Sequence, residues 1–94
     1  MTPDKEKQFT EYMHVTIKYL SKTRVPKWKK VEYLQTEITK YLDSCKVMQL
    51  ALYNQIITGT NSFSTVTNAV ALEYYLRCIE YLTNELAHLA SPTR

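Results

Sequence analysis

Glycine is almost absent from this sequence, since Gly59 is the only one among 94 residues. The tight turns that connect antiparallel strands favour residues with positive φ, which glycine adopts most readily. A chain with a single glycine is therefore a poor candidate for a many-stranded sheet. It also cannot form a glycine-rich phosphate-binding loop. The scarcity of glycine favours a fold made of a few long helices.

Cysteines and long apolar runs are scarce as well. Cys45 and Cys78 are the only two cysteines; both fall within apolar helical patterns, so we expect them to be buried and reduced. Small secreted domains usually carry more cysteines. No apolar run approaches the ~20 residues needed to cross a bilayer, and the charged residues 4–7 do not resemble a signal-peptide core. These features predict an intracellular, cytoplasmic protein with no membrane span.

Prolines and the single glycine divide the chain into three helical segments. Thr2 and Pro3 form a typical helix start, with a hydroxyl cap followed by a residue that lacks the N–H. Pro26 marks a second start, Gly59 a stop, and Pro92 lies beyond the last segment. We predict helix A over about 3–22, helix B over about 26–58 and helix C over about 64–89.

Each segment carries apolar residues at alternating spacings of three and four, the pattern of an amphipathic helix. The stripe of helix A comprises Phe9, Met13, Ile17 and Leu20. The stripe of helix B comprises Val31, Leu34, Ile38, Tyr41, Cys45, Met48 and Leu52. The stripe of helix C comprises Leu72, Tyr75, Ile79, Leu82, Leu86 and Leu89.

Short connections between these helices make neighbours antiparallel. The sequence thus predicts an all-α protein, a single helical domain formed by an antiparallel three-helix bundle with a long central helix. Helix B must overhang the shorter helix A or bend. The weakest segment is 56–66, which is rich in β-branched residues and leaves a short hairpin as an alternative.

Two Glu-x-x-His pairs raise the possibility of a metal site: Glu11 with His14, and Glu85 with His88. Helical bundles with two metal ions use such pairs together with two further glutamates, all facing inward. At about 100° per residue, Glu11 and His14 point away from the apolar stripe of helix A, and His88 points away from that of helix C. The sequence therefore predicts no metal, no cofactor and no catalytic residues.

Tyrosine is unusually frequent, with eight residues. Tyr12 and Tyr19 repeat at a spacing of seven on helix A, as do Tyr74 and Tyr81 on helix C, and each pair flanks its stripe. Tyrosine has an apolar ring and a polar tip, so it suits either the boundary of a core or a protein interface. Val70 joins Tyr74, Cys78 and Tyr81 in a second semi-apolar stripe. We predict a partner-binding surface that includes Tyr12, Tyr19, Val70, Tyr74 and Tyr81.

Positive charge is concentrated in the first third of the chain, where residues 1–30 carry a net charge of +5 against +3 for the whole chain. A basic segment that contains the only tryptophan comprises Lys22, Arg24, Lys27, Trp28, Lys29 and Lys30. Cations around an aromatic ring can bind a polyanion, because the charges meet phosphates and the ring stacks on a base. The alternatives are a solvated surface, contact with an acidic protein face and contact with anionic lipid.

These patterns predict a non-enzymatic protein–protein interaction module, such as a small regulator, inhibitor or assembly factor. Its partner is another protein, a second copy of itself, or both, and we expect a dimer or a higher oligomer. Nucleic-acid binding through residues 22–30 is the first alternative. A metal-dependent helical-bundle enzyme is a distant one.

Overall fold

The described part of the chain forms three helices, in the order α1, α2 and α3, as the sequence predicts. The computed structural model describes residues 1–59 and 63–91. Helix α1 spans Pro3–Leu20, α2 spans Lys27–Ile57 and α3 spans Phe63–Ala90. The predicted all-α, antiparallel three-helix bundle with a long central helix is confirmed, and each predicted boundary lies within two residues of the observed one.

Helix α1 begins at the predicted cap. The Thr2 side chain accepts a hydrogen bond from the Lys5 backbone N–H, and Pro3 occupies the first turn. Asp4 and Glu6 lie in that turn, where carboxylates stabilise the positive end of the helix dipole. The helix ends at Leu20, and the Ser21 backbone N–H donates to the Ile17 carbonyl oxygen.

The buried face of α1 differs from the predicted stripe at one position. Phe9 is buried and Met13 and Leu20 are half-buried, as predicted, but Ile17 is exposed. Thr16 takes the expected place of Ile17 and is fully buried. The two positions are adjacent on the helix, and the face that meets the other helices is rotated toward Thr16. The prediction that Ile17 belongs to the buried face of α1 is therefore wrong.

Helix α2 carries the predicted stripe without exception. Leu34, Tyr41 and Cys45 are buried, and Val31, Ile38, Met48 and Leu52 are half-buried. After Ile57, Thr58 closes the helix through its backbone N–H, and Gly59 has a φ of 71°. This left-handed conformation at a helix end is the one that glycine adopts without a steric penalty.

Helix α3 packs along α2 over most of its length, and its buried centre is Tyr74, Cys78 and Leu82. The predicted stripe residues are half-buried around that centre, apart from Leu82, which belongs to it. Tyr74 and Cys78 belong to the second semi-apolar stripe, which the sequence predicts to lie beside the core. In the structure these two residues lie at the centre of the core. Cys78, like Cys45, is a free cysteine and is buried, as expected.

The connection between α2 and α3 begins with a turn at Thr58 and Gly59 and is flanked by helix on both sides. Residues 56–57 belong to α2 and 63–66 to α3, so the alternative of a hairpin over 56–66 does not hold for them. From the sequence, Asn61, Ser62 or Ser64 could cap the start of this helix. Asn61, Ser62 and the side chain of Ser64 lie outside the described residues.

The bundle is elongated, with principal extents of 51 × 23 × 20 Å. Helix α2, with 31 residues, is about 46 Å long at 1.5 Å per residue and spans nearly the whole long axis. Helix α1 has only 18 residues and cannot cover α2 along its length. Within residues 1–59 and 63–91, no helix combines the length and apolarity needed to cross a membrane.

Candidate functional site

The start of α1 lies level with the middle of α3. The Lys5 ammonium lies 4.9 Å from the centroid of the Tyr74 ring, and the Met1 amino nitrogen lies 2.8 Å from Glu73 Oε1. On α2, the Tyr12 ring lies 5.5 Å from that of Tyr41. The Tyr12 hydroxyl also bonds Glu37, so counting back along the antiparallel helices from both contacts makes Pro3 level with about residues 46–50 of α2.

Beyond about that level, α2 and α3 continue past the start of α1, whose first residues border α3 at residues 66–71. We call residues 49–57 of α2 and 63–72 of α3 the overhang. Neither stretch contains Asp, Glu, Lys, Arg or His, although 22% of the whole chain is charged. The overhang is therefore an uncharged two-helix hairpin at one end of the molecule.

Burial changes abruptly where α1 begins. All eight buried residues of the described chain lie in the three-helix part: Phe9, Thr16, Leu34, Tyr41, Cys45, Tyr74, Cys78 and Leu82. None of the side chains described in the overhang, those of residues 49–57 and 66–72, is buried. Two helices alone leave one side of their contact uncovered, so the hairpin lacks a closed core.

Large apolar side chains are instead exposed on the overhang. Each is between 59% and 73% exposed: Leu50, Tyr53, Ile56, Ile57 and Val66. Scattered apolar side chains are normal on protein surfaces, but a contiguous uncharged group of them marks an interaction site. The overhang carries no charge, and its exposed apolar side chains on α2 lie at neighbouring helical positions. It is therefore the first candidate for a functional surface.

Four exposed apolar residues of α2 follow a helical stripe of their own, which we call the outer stripe: Leu42, Leu50, Tyr53 and Ile57. Val47 and Ile56 are also exposed but lie off this stripe. At 100° per residue these four positions fall within about 80° of one another and are centred about 120° from the buried positions of α2. Lys46 completes the spacing between Leu42 and Leu50. Helix α2 is thus apolar on two faces, and only one of them packs within the chain.

A groove lies at the junction between the three-helix part and the overhang, and its volume is ≈ 510 Å³. Its walls come from the start of α1 and from the first turns of α3: Thr2, Asp4, Lys5, Gln8, Val66, Thr67, Val70 and Ala71. The α3 side is largely apolar, whereas the α1 side is polar. Val70, one of the predicted partner-binding residues, therefore borders a concave surface next to the overhang.

The predicted tyrosines lie inside the bundle. The Tyr19 ring lies 4.6 Å from that of Tyr33, and the Tyr81 ring lies 6.2 Å from that of Phe9 in an edge-on arrangement. Tyr12, Tyr19 and Tyr81 are half-buried. Such contacts are those of the core boundary that the sequence leaves as the other interpretation, and a partner-binding role for these three tyrosines stays a prediction.

The prediction that Tyr74 lies on a partner-binding surface is wrong. It is only 4% exposed, and its ring packs against that of Tyr75 at 5.8 Å. Helix α1 reaches over this part of α3, so Tyr74 is covered by the chain itself. The exposed tyrosine is Tyr53 on the overhang, which the sequence interpretation missed. Its spacing from Leu50 and Ile57 was the available signal.

Burial alters the acidity of the tyrosines in the bundle. Burial raises the pKa of Tyr41 to about 12 and raises the pKa of Tyr74 further above its ordinary value. Burial also raises the pKa of Tyr12, and the hydrogen bond that its hydroxyl donates to Glu37 adds to this effect. These hydroxyls remain protonated at neutral pH and act in packing and hydrogen bonding.

The basic segment lies at the opposite end of the molecule from the overhang, between α1 and the first turn of α2. Lys22, Arg24, Lys27 and Lys29 are exposed, and Lys30 is half-buried. Trp28 is 63% exposed, and the Lys29 ammonium lies 5.8 Å from the centroid of its ring. Lys22 and Arg24 lie in the connection between α1 and α2, and the other four predicted residues lie in the first turn of α2.

The start of α2 explains why these cations are unusual. Its N-cap is Pro26, which makes no side-chain capping bond, and its first turn contains no acidic residue. Lysines at this position oppose the helix dipole by about 0.3–1 kcal/mol each. Because α2 begins at Lys27, Lys27, Lys29 and Lys30 lie within its first turn and not in the loop before it.

Chemistry-bearing residues are dispersed or buried. Glu11, His14 and His88 are exposed, and among residues 1–59 and 63–91 no three His, Cys, Asp or Glu side chains are grouped to hold a metal ion. Burial raises the pKa of both Cys45 and Cys78. A raised pKa reduces the thiolate fraction that nucleophilic chemistry requires.

Comparisons with known proteins give no relative for this chain. No protein-family model, no curated protein and no solved structure matches it.

Proposed function

We propose that this chain is a non-enzymatic protein-interaction module that binds through the overhang. One observation carries the proposal: residues 49–57 and 63–72 contain no charged side chain, and none of their described side chains is buried. A water-exposed hairpin with this composition carries a free-energy cost that association removes, because burial of apolar surface is favourable.

The shape of the overhang supports the same function. Proteins that recognise helices use an apolar face with anchors at helical spacing, and the outer stripe provides such a face. Aromatic residues dominate binding energy at protein interfaces, and Tyr53 occupies the middle of the overhang with 61% of its surface exposed. We therefore assign Leu50, Tyr53 and Ile57 as the central binding residues.

A comparison of matched baits tests this proposal. The chain is immobilised in three forms: unchanged, with Leu50→Gln, Tyr53→Gln and Ile57→Gln together, and with Val15→Gln and Ile17→Gln together. Val15 and Ile17 are also exposed apolar residues, but they lie on α1. We expect the overhang variant to lose proteins that both other baits capture. Capture of the same set by all three forms would overturn the proposal.

A second candidate function is polyanion binding by the basic segment. The observation that favours it is the exposed Trp28 among exposed lysines at a helix start with no acidic residue in its first turn. Phosphates are attracted by helix N-termini and by lysines, and an exposed ring can stack on an unpaired base. Single-stranded nucleic acid is the polyanion that uses both features.

Trp28 emission measures this binding directly. The chain is titrated with short single-stranded nucleic acid at low and moderate salt, beside a Lys27→Gln, Lys29→Gln variant and a Lys7→Gln, Lys46→Gln control. All four lysines are exposed, so both variants lose the same surface charge. Binding that weakens steeply with salt and is lost only in the first variant supports this function. Equal losses in both variants would indicate nonspecific attraction.

A further inference from the structure

We infer that the outer stripe of α2 is a seam for a second copy of this chain, paired antiparallel across a twofold axis near Leu50. This inference deepens the proposed function, because it rests on the overhang as a binding surface and names its occupant. The first argument is spacing. Leu42, Lys46, Leu50, Tyr53 and Ile57 follow steps of four, four, three and four, which is the pattern by which one helix packs along another.

The near absence of charge on the outer stripe favours a second copy of this chain as its partner. A twofold interface places the same surface on both sides, so a charged patch would face its own sign. The outer stripe contains one charged position, Lys46. With the axis near Leu50, Lys46 of each copy lies level with Asn54 of the other copy. A seam with a single charged position suits a copy of itself better than a strongly acidic or basic partner.

Charge also sets the direction of pairing. Residues 1–30 carry a net charge of +5, and the basic segment lies at the first turn of α2. Parallel pairing of two α2 helices would bring both basic segments side by side. Antiparallel pairing places them at opposite ends, separated by more than the length of α2 and far beyond the ~8 Å over which charges interact at physiological salt.

The exposed apolar area of the outer stripe limits how tightly two copies can associate. At the exposures observed, the four apolar side chains of the outer stripe offer on the order of 400 Å² per copy, about half of the ~800 Å² per partner in a standard interface. Polar side chains beside them add to the contact. We therefore expect a reversible dimer whose population depends on concentration, and Lys46 is the position that weakens it.

Sedimentation equilibrium from micromolar to millimolar concentration tests the seam. The expected apparent mass rises from the monomer value of 11.0 kDa toward twice that value. Leu50→Gln with Tyr53→Gln should remain monomeric throughout, whereas Val15→Gln with Ile17→Gln should behave as the unchanged chain. Lys46→Leu completes the stripe and should tighten the dimer about tenfold or more. Circular dichroism at low concentration verifies that each variant is folded.

Either of two results would overturn the seam: a monomer at every concentration, or a dimer that Leu50→Gln with Tyr53→Gln leaves intact. Failure of the seam is distinguishable from failure of the proposed function. A monomeric chain whose overhang variant still loses captured proteins has a different partner on the same surface. A monomeric chain whose three baits capture the same proteins has no interaction surface on the overhang.

Discussion

The Tyr12 hydroxyl donates a hydrogen bond to Oε1 of Glu37 at 2.6 Å, and so ties α1 to α2. The Lys40 ammonium reaches the same oxygen from one turn later at 3.1 Å. The Tyr12 ring also packs edge-on against that of Tyr41. A polar link beside an aromatic contact fixes both the distance and the register of the short helix α1 against α2.

Removal of this hydrogen bond should loosen α1. We expect Tyr12→Phe to lower the free energy of unfolding by about 1.5–3 kcal/mol, since hydrogen bonds to charged groups contribute that much. Chemical denaturation measures the change, with Tyr53→Phe as the control because Tyr53 is exposed. In a double-mutant cycle with Glu37→Gln, the two losses should be less than additive. Full additivity would show that the two residues do not interact.

Removal of the Thr16 hydroxyl should stabilise the folded protein. It is fully buried on α1, and its Oγ1 has no hydrogen-bond partner. Thr16→Val keeps the shape and removes an unsatisfied polar group, whose burial costs about 1–3 kcal/mol. We expect a rise in melting temperature of several degrees, about 4–8 °C for each kcal/mol in a domain of this size.

Thr10→Val is the matched control for this change. Thr10 lies on the same helix, but it is exposed and its hydroxyl donates to the Glu6 carbonyl oxygen. We expect it to leave the melting temperature nearly unchanged or slightly lower. A melting temperature that falls in Thr16→Val would show that the hydroxyl makes a stabilising contact.

Alkaline pH should unfold the protein. In the unfolded chain the tyrosines ionise near pH 10, whereas in the bundle burial raises the pKa of Tyr41 to about 12 and raises that of Tyr74 and Tyr81 as well. Their raised pKa means that the folded state holds these protons more tightly. The resulting stability is fully present below pH 10 and is lost as the pH rises above it.

Denaturation midpoints measured from pH 8 to pH 12 test this expectation. Each such tyrosine lowers stability by at most about 1.4 kcal/mol per pH unit between its two pKa values. Tyr81→Phe removes one of these groups and should reduce the slope above pH 10. A stability that stays constant from pH 9 to pH 12 would contradict the burial of these hydroxyls.

The two thiols should be protected from reagents. Cys45 and Cys78 are buried, and burial raises the pKa of each. We expect a thiol-specific disulfide reagent at pH 8 to react slowly with the native chain and rapidly with both cysteines in denaturant. Val15→Cys supplies an exposed thiol in the same fold and should react at once. Fast reaction of the unchanged native chain would place a cysteine at the surface.

The sequence predicts most of the architecture because each helix carries its own local signals. Thr2 with Pro3 and Gly59 act within a few residues of the helix end that they define. The stripe of α2 is predictable for the same reason, since its seven residues form one uninterrupted pattern. Such information is contained in neighbouring residues and needs no knowledge of the other helices.

The candidate site is harder to predict because it depends on register between helices. Helix α3 is apolar over about half of its circumference, so its own pattern cannot show whether Tyr74 or Tyr75 faces the centre. The position of α1 decides this. The overhang has the same origin, because it exists only where α1 stops short of α2 and α3. The outer stripe is visible in the sequence, but the stronger stripe on the same helix obscures it.

The placement of positive charge and apolar surface at opposite ends of one rod has a consequence for valency. Two chains joined at their overhangs would present two copies of the basic segment, one at each tip. A ligand long enough to reach both tips would bind with an effective local concentration at the second tip, so its avidity would exceed the affinity of a single site. Dilution that separates the chains would then weaken binding of long ligands while leaving that of short ones unchanged.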